Sequence, residues 1–253
     1  MGDKKARGLV LREKKTGESD NLLTILTENG KLQVLAKGTR NLKNHNLSSA
    51  RPFSFADFTL YEKHGYYWLR ETDRISGFFA VSENMDRLAF GQYFLEFADT
   101  VAVSDSEEGP LLSLLLNTLY ALSTDRAPYE QIKAVFELKA MALSGFEPML
   151  TGCETCGNFS DPLFFFPVDG VLKCGKCFHQ PEPIDSGEEQ TVFCLPLPVC
   201  QAMRYILTAD RKQIFDFRLP EDLLAMLGKV CERYAVDQIG KVLPTLRFLH
   251  GIQ

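Results

Sequence analysis

No apolar run in this sequence is long enough to cross a bilayer: the richest, residues 111–122, is too short and is interrupted by Ser113 and Asn117. The opening Met1-Gly2-Asp3-Lys4-Lys5-Ala6 carries lysines, but no apolar segment follows them, so a secretory signal is not expected. A myristoylation signal needs Ser or Thr where Ala6 stands. The phosphate-loop spacing G-x-x-x-x-G-K-[ST] is missing, and so is the G-x-S-x-G nucleophile elbow. Carboxylates are scattered, with no spacing that marks a catalytic pair. The acidic stretches 105–108 and 185–189 read as solvated loops. There is no internal repeat and no low-complexity linker. These absences argue against an enzyme, a membrane protein and a disordered chain.

What is present suits a globular protein of more than one compact part. Apolar residues make up 45% of 253 positions, enough to bury a substantial core, and charged residues 24%. The net charge is −5, so the chain is no polycation, but the charge is uneven. Positions 1–80 hold 14 of the 28 basic residues and only 9 of the 33 acidic ones. The first third is therefore net positive on an acidic body, as expected if it meets a polyanion.

The patterning divides near Gly77. Before it, short runs at 6–12, 22–27, 31–37, 53–61 and 66–70 read as strands. Asn29-Gly30 between the second and third predicts a hairpin, because both residues tolerate positive φ. The apolar phase shifts between Phe55 and Phe58, which predicts a bulge near Asp57. Five strands in so few residues suit a small closed barrel of the oligonucleotide-binding (OB) kind, which must fill its own interior. Phe53, Phe58 and Trp68 are expected in that interior. After Gly77 the spacing turns helical over 79–103, with Leu88, Tyr93, Phe94 and Phe97 near one face, and over 111–122. Pro128 and Gly145 fit the ends of a third helix. Further helices are expected at 197–209 and 220–238, the latter opening with Pro220, Glu221 and Asp222. The expected architecture is α+β: a five-stranded OB barrel over 1–78 and a helical domain over 79–253. A cysteine lobe is inserted at 150–180, and barrel and helices are expected to pack together.

That lobe carries the strongest chemical signal. Cys153 and Cys156, then Cys174 and Cys177, give C-x2-C-x17-C-x2-C, the spacing of a four-thiolate zinc site. Two residues between cysteines let the chain turn back so that both sulfurs reach one metal, and two such knuckles supply a tetrahedral ion. Gly157 and Gly175 permit tight turns. Residues 163–166 and 170–172 can form a hairpin between the knuckles. Four thiolates close the shell, so one structural Zn2+ is expected and a catalytic metal is not. A thioredoxin-like role needs one pair within a βαβ pattern. A deaminase needs H-x-E, which none of His45, His64, His179 or His250 begins. Covalent haem needs His directly after a pair. His179 reads as a spare solvent-facing side chain. Cys194, Cys200 and Cys231 read as small buried hydrophobes. Paired spacing of this kind points to a reducing cytoplasm and away from a disulfide framework.

Lys37-Gly38-Thr39-Arg40 leads into a polar loop with Lys43 and Arg51. Lysine and arginine contact phosphates, and Gly38 lets the backbone come close. Arg7, Arg12, Lys14 and Lys15 add to the same field. Phe53, Phe55, Tyr61, Tyr66, Tyr67 and Trp68 stand nearby, and stacking a base on such a ring is worth roughly 1–3 kcal/mol, although for Phe53 and Trp68 a place in the core is the first expectation and stacking the alternative.

Several motifs, taken in order, resemble one family. Ala6-Arg7-Gly8-Leu9-Val10-Leu11 with Gly17-Glu18-Ser19-Asp20 resembles the start of RecO proteins. So do Leu35-Ala36-Lys37-Gly38-Thr39-Arg40 and Arg51-Pro52-Phe53-Ser54, and Gly145-Phe146-Glu147-Pro148 running into Cys153-Glu154-Thr155-Cys156-Gly157. The resemblance spans the chain. It implies a non-catalytic bacterial mediator that binds single- and double-stranded DNA and anneals complementary strands. It also implies that RecR and single-strand binding protein are partners, the latter through its C-terminal tail on the helical domain, and that RecA loading is assisted indirectly. The family's DNA contacts would fall on Lys37, Arg40, Lys43 and Arg51. The alternative is an adaptor of the same architecture whose barrel binds protein and not DNA. A hydrolase or transferase with an unfamiliar site comes last.

Overall fold

Alternation of apolar and polar residues builds the first five strands: β1 (Lys4–Thr16), β2 (Asp20–Thr27), β3 (Gly30–Ala36), β4 (Ser54–Lys63) and β5 (Tyr66–Gly77). In the computed structural model, which describes residues 3–179 and 191–252, they close into a barrel of order β1-β2-β3-β5-β4. The expected loop at 185–189 lies outside the described residues. Neighbours are antiparallel except β3 and β5, which are parallel. This is the OB-type barrel that the sequence predicts. Its core is Val10, Leu23, Ile25, Val34, Ala36, Ala56, Phe58, Leu60 and Leu69, closed by Ala50 from the loop between β3 and β4. Burying a side chain such as Phe58 contributes about 1.5–3 kcal/mol.

Two local expectations are corrected. The β2–β3 turn is centred on Glu28 and Asn29, and the positive φ falls on Gly30, at 99°. Any Cβ there would meet the backbone N–H of Asp105 at 2.7 Å, so close approach as well as φ demands glycine. The bulge is not at Asp57. β4 alternates without a break, with Ser54, Ala56, Phe58 and Leu60 buried and Phe55, Asp57, Thr59 and Tyr61 facing the other way. Phe55 and Phe58 sit on opposite faces of an unbroken strand, and that mimics a phase shift. The register instead slips opposite Phe55/Ala56 and Thr59/Leu60, leaving Ile75 and Arg70 of β5 as the extra residues.

The barrel belongs to a compact unit of Met1–Thr124 with Leu243–Gln253; Asp125–Val242 forms a second. In the first unit, the helix expected over 79–103 is divided. A 3-10 turn (Phe79–Glu83) precedes α1 (Met85–Val101), because the Asn84 carboxamide oxygen accepts the N–H groups of Asp86 and Arg87 at 2.8 and 3.1 Å and caps a new helix. α2 (Gly109–Ser123) follows. Lys31 Nζ donates to the Asp99 carbonyl of α1 at 2.5 Å, and the Glu108 N–H donates to Glu28 at 2.8 Å, so strand hairpin and helices are tied together. The chain's last helix, α6 (Pro244–Ile252), packs on α1. The Glu96 carboxylate accepts the Thr245 N–H at 2.9 Å, placing an anion at the N-terminus of α6.

In the second unit, α3 (Tyr129–Leu143), α4 (Leu197–Thr208) and α5 (Glu221–Ile239) accompany a sheet of β6 (Met149–Cys153), β7 (Leu163–Phe166), β8 (Val171–Cys174) and β9 (Phe193–Leu195), in the order β6-β8-β7-β9. β7 and β8 are the expected hairpin. Between α3 and α5, buried Lys133 meets Glu137 at 3.0 Å and Glu232 at 2.6 Å. Burial alone would lower its pKa, but the two carboxylates outweigh it and hold the ammonium above its ordinary range. Cys200 and Cys231 are buried as expected, but Cys194 is exposed. It is the middle residue of the short strand β9, where alternation turns Leu195 inward and Cys194 out.

Candidate metal centre and nucleic-acid interface

β6 and β8 are parallel neighbours, so both end at one edge of the sheet. Cys153 closes β6 and Cys174 closes β8. Each strand then turns back. The Gly157 N–H donates to the Cys153 carbonyl at 2.7 Å, with Gly157 at φ 72°, and the N–H groups of Cys177 and Phe178 both donate to the Cys174 carbonyl at 2.9 Å. The turns bring Cys156 and Cys177 to the same point. All four sulfurs lie within 4.8 Å of one another, with Cys156 and Cys174 at 3.7 Å. A tetrahedral ion with metal–sulfur bonds of about 2.3 Å has ligand-to-ligand edges of about 3.8 Å, so the spacing fits.

The electrostatics fit too. Burial pushes the Cys153 thiol up, but the backbone N–H groups of Cys174, Cys156 and Thr155 outweigh it and bring it to about 6. The N–H of Cys177 likewise holds Cys174 below its ordinary value, against burial. Cys177 is pushed up to about 12, chiefly because it shares hydrogen bonds with Cys156 and Cys174. Four thiolates this close need a cation among them. The four cysteines can therefore hold a metal ion, and with four protein ligands it would be structural. His179 is exposed and lies outside the group.

On the barrel, the loop after β3 is a chain of turns. The N–H of Asn41 donates to Gly38, that of Asn44 to Asn41 and that of Leu47 to Asn44, at 2.9–3.1 Å. Buried Asn46 pins it to β5, donating to the Arg70 carbonyl at 3.3 Å and accepting from the N–H and hydroxyl of Thr72, each at 3.0 Å. Asp20 accepts the Gly38 N–H at 2.8 Å. Lys37, Arg40, Lys43 and Arg51 are all exposed on this ordered loop. Arg40 also reaches the Glu18 carbonyl at 3.0 Å. Lys14 and Lys15 are exposed near the end of β1, whereas Arg12 lies 3.5 Å from Asp99 of α1, which answers part of its charge.

Phe53 and Phe58 are buried as expected, but Trp68 is not in the core. Leu69 takes the inward position, and Tyr67 packs against the core beside it. Trp68 is therefore turned to the outer face, opposite Tyr61 on β4 and Leu35 on β3. The Tyr61 and Trp68 rings are 6.4 Å apart and 19° from parallel. Lys37 Nζ stands 4.9 Å over Trp68 and the Arg70 guanidinium 5.5 Å over Tyr61. Sequence alone does not single out Arg70 and puts Trp68 in the core, because which residues of β5 face inward is set by its register against β3 and β4.

Residues 1–78 match the family model described as Recombination protein O N terminal, and residues 82–247 the one described as Recombination protein O C terminal. The chain belongs to the RecO family. It is 31% identical to a relative in Acetivibrio thermocellus, over 97% of this chain and 95% of the other. It is 32% identical to one in Alkaliphilus metalliredigens, over 94% of each, and 28% identical to one in Caldicellulosiruptor saccharolyticus, over 98% of each. All three are named DNA repair protein RecO. Within the RecO family frame, this chain is of the four-cysteine type, and its loop cations stand on the N-terminal barrel. Among the described residues no helix is long and apolar enough to cross a membrane.

Proposed function

We propose that this RecO-family chain is a non-catalytic DNA-binding mediator of recombinational repair, acting in the cytoplasm at the nucleoid. The observation that carries the reading is the shared exposure of Lys37, Arg40, Lys43 and Arg51 on one hydrogen-bonded loop of an OB barrel. Cations held on an ordered loop displace counterions from a phosphate backbone without losing much freedom of their own. Two strands neutralised this way repel each other less, and a bound first strand meets its complement at raised local concentration. The products are annealed strands, single- and double-stranded DNA both being bound. Arg12, Lys14 and Lys15 extend the field along β1. RecR and the C-terminal tail of single-strand binding protein are the partners, and RecA loading is assisted through them. Cys153, Cys156, Cys174 and Cys177 hold one structural Zn2+, which fixes the lobe and takes no part in chemistry.

The test is annealing of complementary strands precoated with cognate single-strand binding protein, over a salt series. The wild type should accelerate annealing, less so as salt rises, and Lys37→Glu/Arg40→Glu should not. With Lys37→Ala/Arg40→Ala, the slope of log affinity against log salt should become shallower by about 2. No acceleration and no DNA binding at low salt would sink this reading.

A further inference from the structure

Resting on the DNA-binding reading, we propose that Tyr61 and Trp68 form a base-stacking platform that distinguishes unpaired from paired strands, with Lys37 and Arg70 covering it until a strand arrives. The two rings lie side by side on the outer face of β4 and β5, nearly parallel and each only partly buried. A tryptophan placed there for packing alone is hard to justify. Its Nε1 is buried and finds no acceptor among the described residues, although a buried indole N–H ordinarily has one. Phenylalanine would cover the same strand without that cost; what tryptophan adds is a larger aromatic face.

The cations explain how such a face waits in water. Lys37 sits over one ring and Arg70 over the other, each drawn to the ring's negative face, and Arg70 also pairs with Asp3 at 3.1 Å in an exposed ion pair that solvent screens. These contacts are weak enough to exchange for a phosphate. The loop that carries Lys37 is pinned through Asn46 to the backbone of Arg70 and Thr72, beside Trp68. An arriving strand therefore presents phosphates to Lys37 and Arg70 in the place where its bases meet the rings. Duplex bases are already stacked and paired and cannot use the platform, whereas the loop cations serve either form.

Trp68 is the sole tryptophan, so its fluorescence reports the event directly. The full-length protein is titrated with short oligo(dT) and with duplex of the same length at one fixed salt concentration. Oligo(dT) should quench Trp68 and duplex should not. Trp68→Leu and Tyr61→Leu should each weaken oligo(dT) binding about tenfold, equivalent to about 1.4 kcal/mol, with a much smaller change for duplex. Trp68→Phe should restore most of the loss. Folded Leu variants that bind oligo(dT) like the wild type would overturn the platform, and so would losses equal for both DNA forms. If Trp68→Leu does not fold, Tyr61→Leu and the wild-type quenching decide between the same outcomes. A wild type that binds neither form sinks the DNA-binding reading itself, whereas one that binds both without Trp68 quenching sinks only the platform.

Discussion

The barrel and the four-cysteine lobe fix side chains in space by different means. The barrel does it with long strands, 7 to 13 residues each, around a shared core of ten buried side chains. The lobe's strands are 3 to 5 residues, too short to hold themselves. Its order comes from the cysteine knuckles and from α5, where the Tyr234 hydroxyl donates to Phe146 at 2.8 Å and Gln238 to Pro167 at 2.9 Å. A core spreads the responsibility over many residues, none of them chemically distinctive. A ligand set concentrates it in four.

The largest effects test that contrast from both sides. Cys174→Ser, or removal of the metal by chelation, takes away the interaction that four-ligand modules depend on, about 10–16 kcal/mol in zinc-finger peptides. Elemental analysis should find the metal lost. Hydrogen exchange should lose protection across β6, β7 and β8 while β1–β5 stay protected. Full metal content and unchanged protection in the lobe would break the comparison and hand its order to α5 alone. Phe58→Ala makes the reciprocal case. The ring is 1% exposed, and its removal should cost about 3–5 kcal/mol in denaturant unfolding while the metal remains bound. Loss of the metal from that variant would mean the two regions do not stand independently.

The same contrast decides what the sequence could reveal. Cys153, Cys156, Cys174 and Cys177 were legible because ligand chemistry is local: the spacing within each knuckle states the geometry, and the fold only has to bring two knuckles to one sheet edge. Helix ends at Pro128, Gly145 and Pro220 were legible for the same reason. Trp68 was not. Whether a strand residue faces in or out depends on the register of β3, β4 and β5, which is set by partners far away in sequence, and on Arg70 and Ile75 being the extra residues. Phe55 misled for a related reason, since both faces of β4 carry apolar side chains. The last helix was not predicted although Pro244 stands at its first position; its N-terminus is satisfied by Glu96, about 150 residues earlier, which local sequence does not show.

The smallest effect lies on the barrel surface and asks whether charge adds to what its core provides. Arg7 on β1 faces Asp57 on β4, its Nε and Nη2 donating to the two carboxylate oxygens at 2.7 and 2.9 Å. Both side chains are largely exposed, so solvent screens the pair. The hydrogen bonds from Arg7 hold the Asp57 carboxyl below the usual carboxylate range, against a small opposing effect of burial. A folded-state pKa below the unfolded one stabilises the protein at pH values above the unfolded pKa, about 4 for Asp. That contribution is lost as pH falls through the lower folded value. Asp57→Asn should therefore unfold at slightly lower denaturant than the wild type at neutral pH, by far less than Phe58→Ala. The gap should close in acid well below about pH 4, where the wild-type carboxylate is protonated too. A gap of constant size from neutral to acid would assign the loss to shape at the β1–β4 seam, leaving the core as the barrel's only source of rigidity.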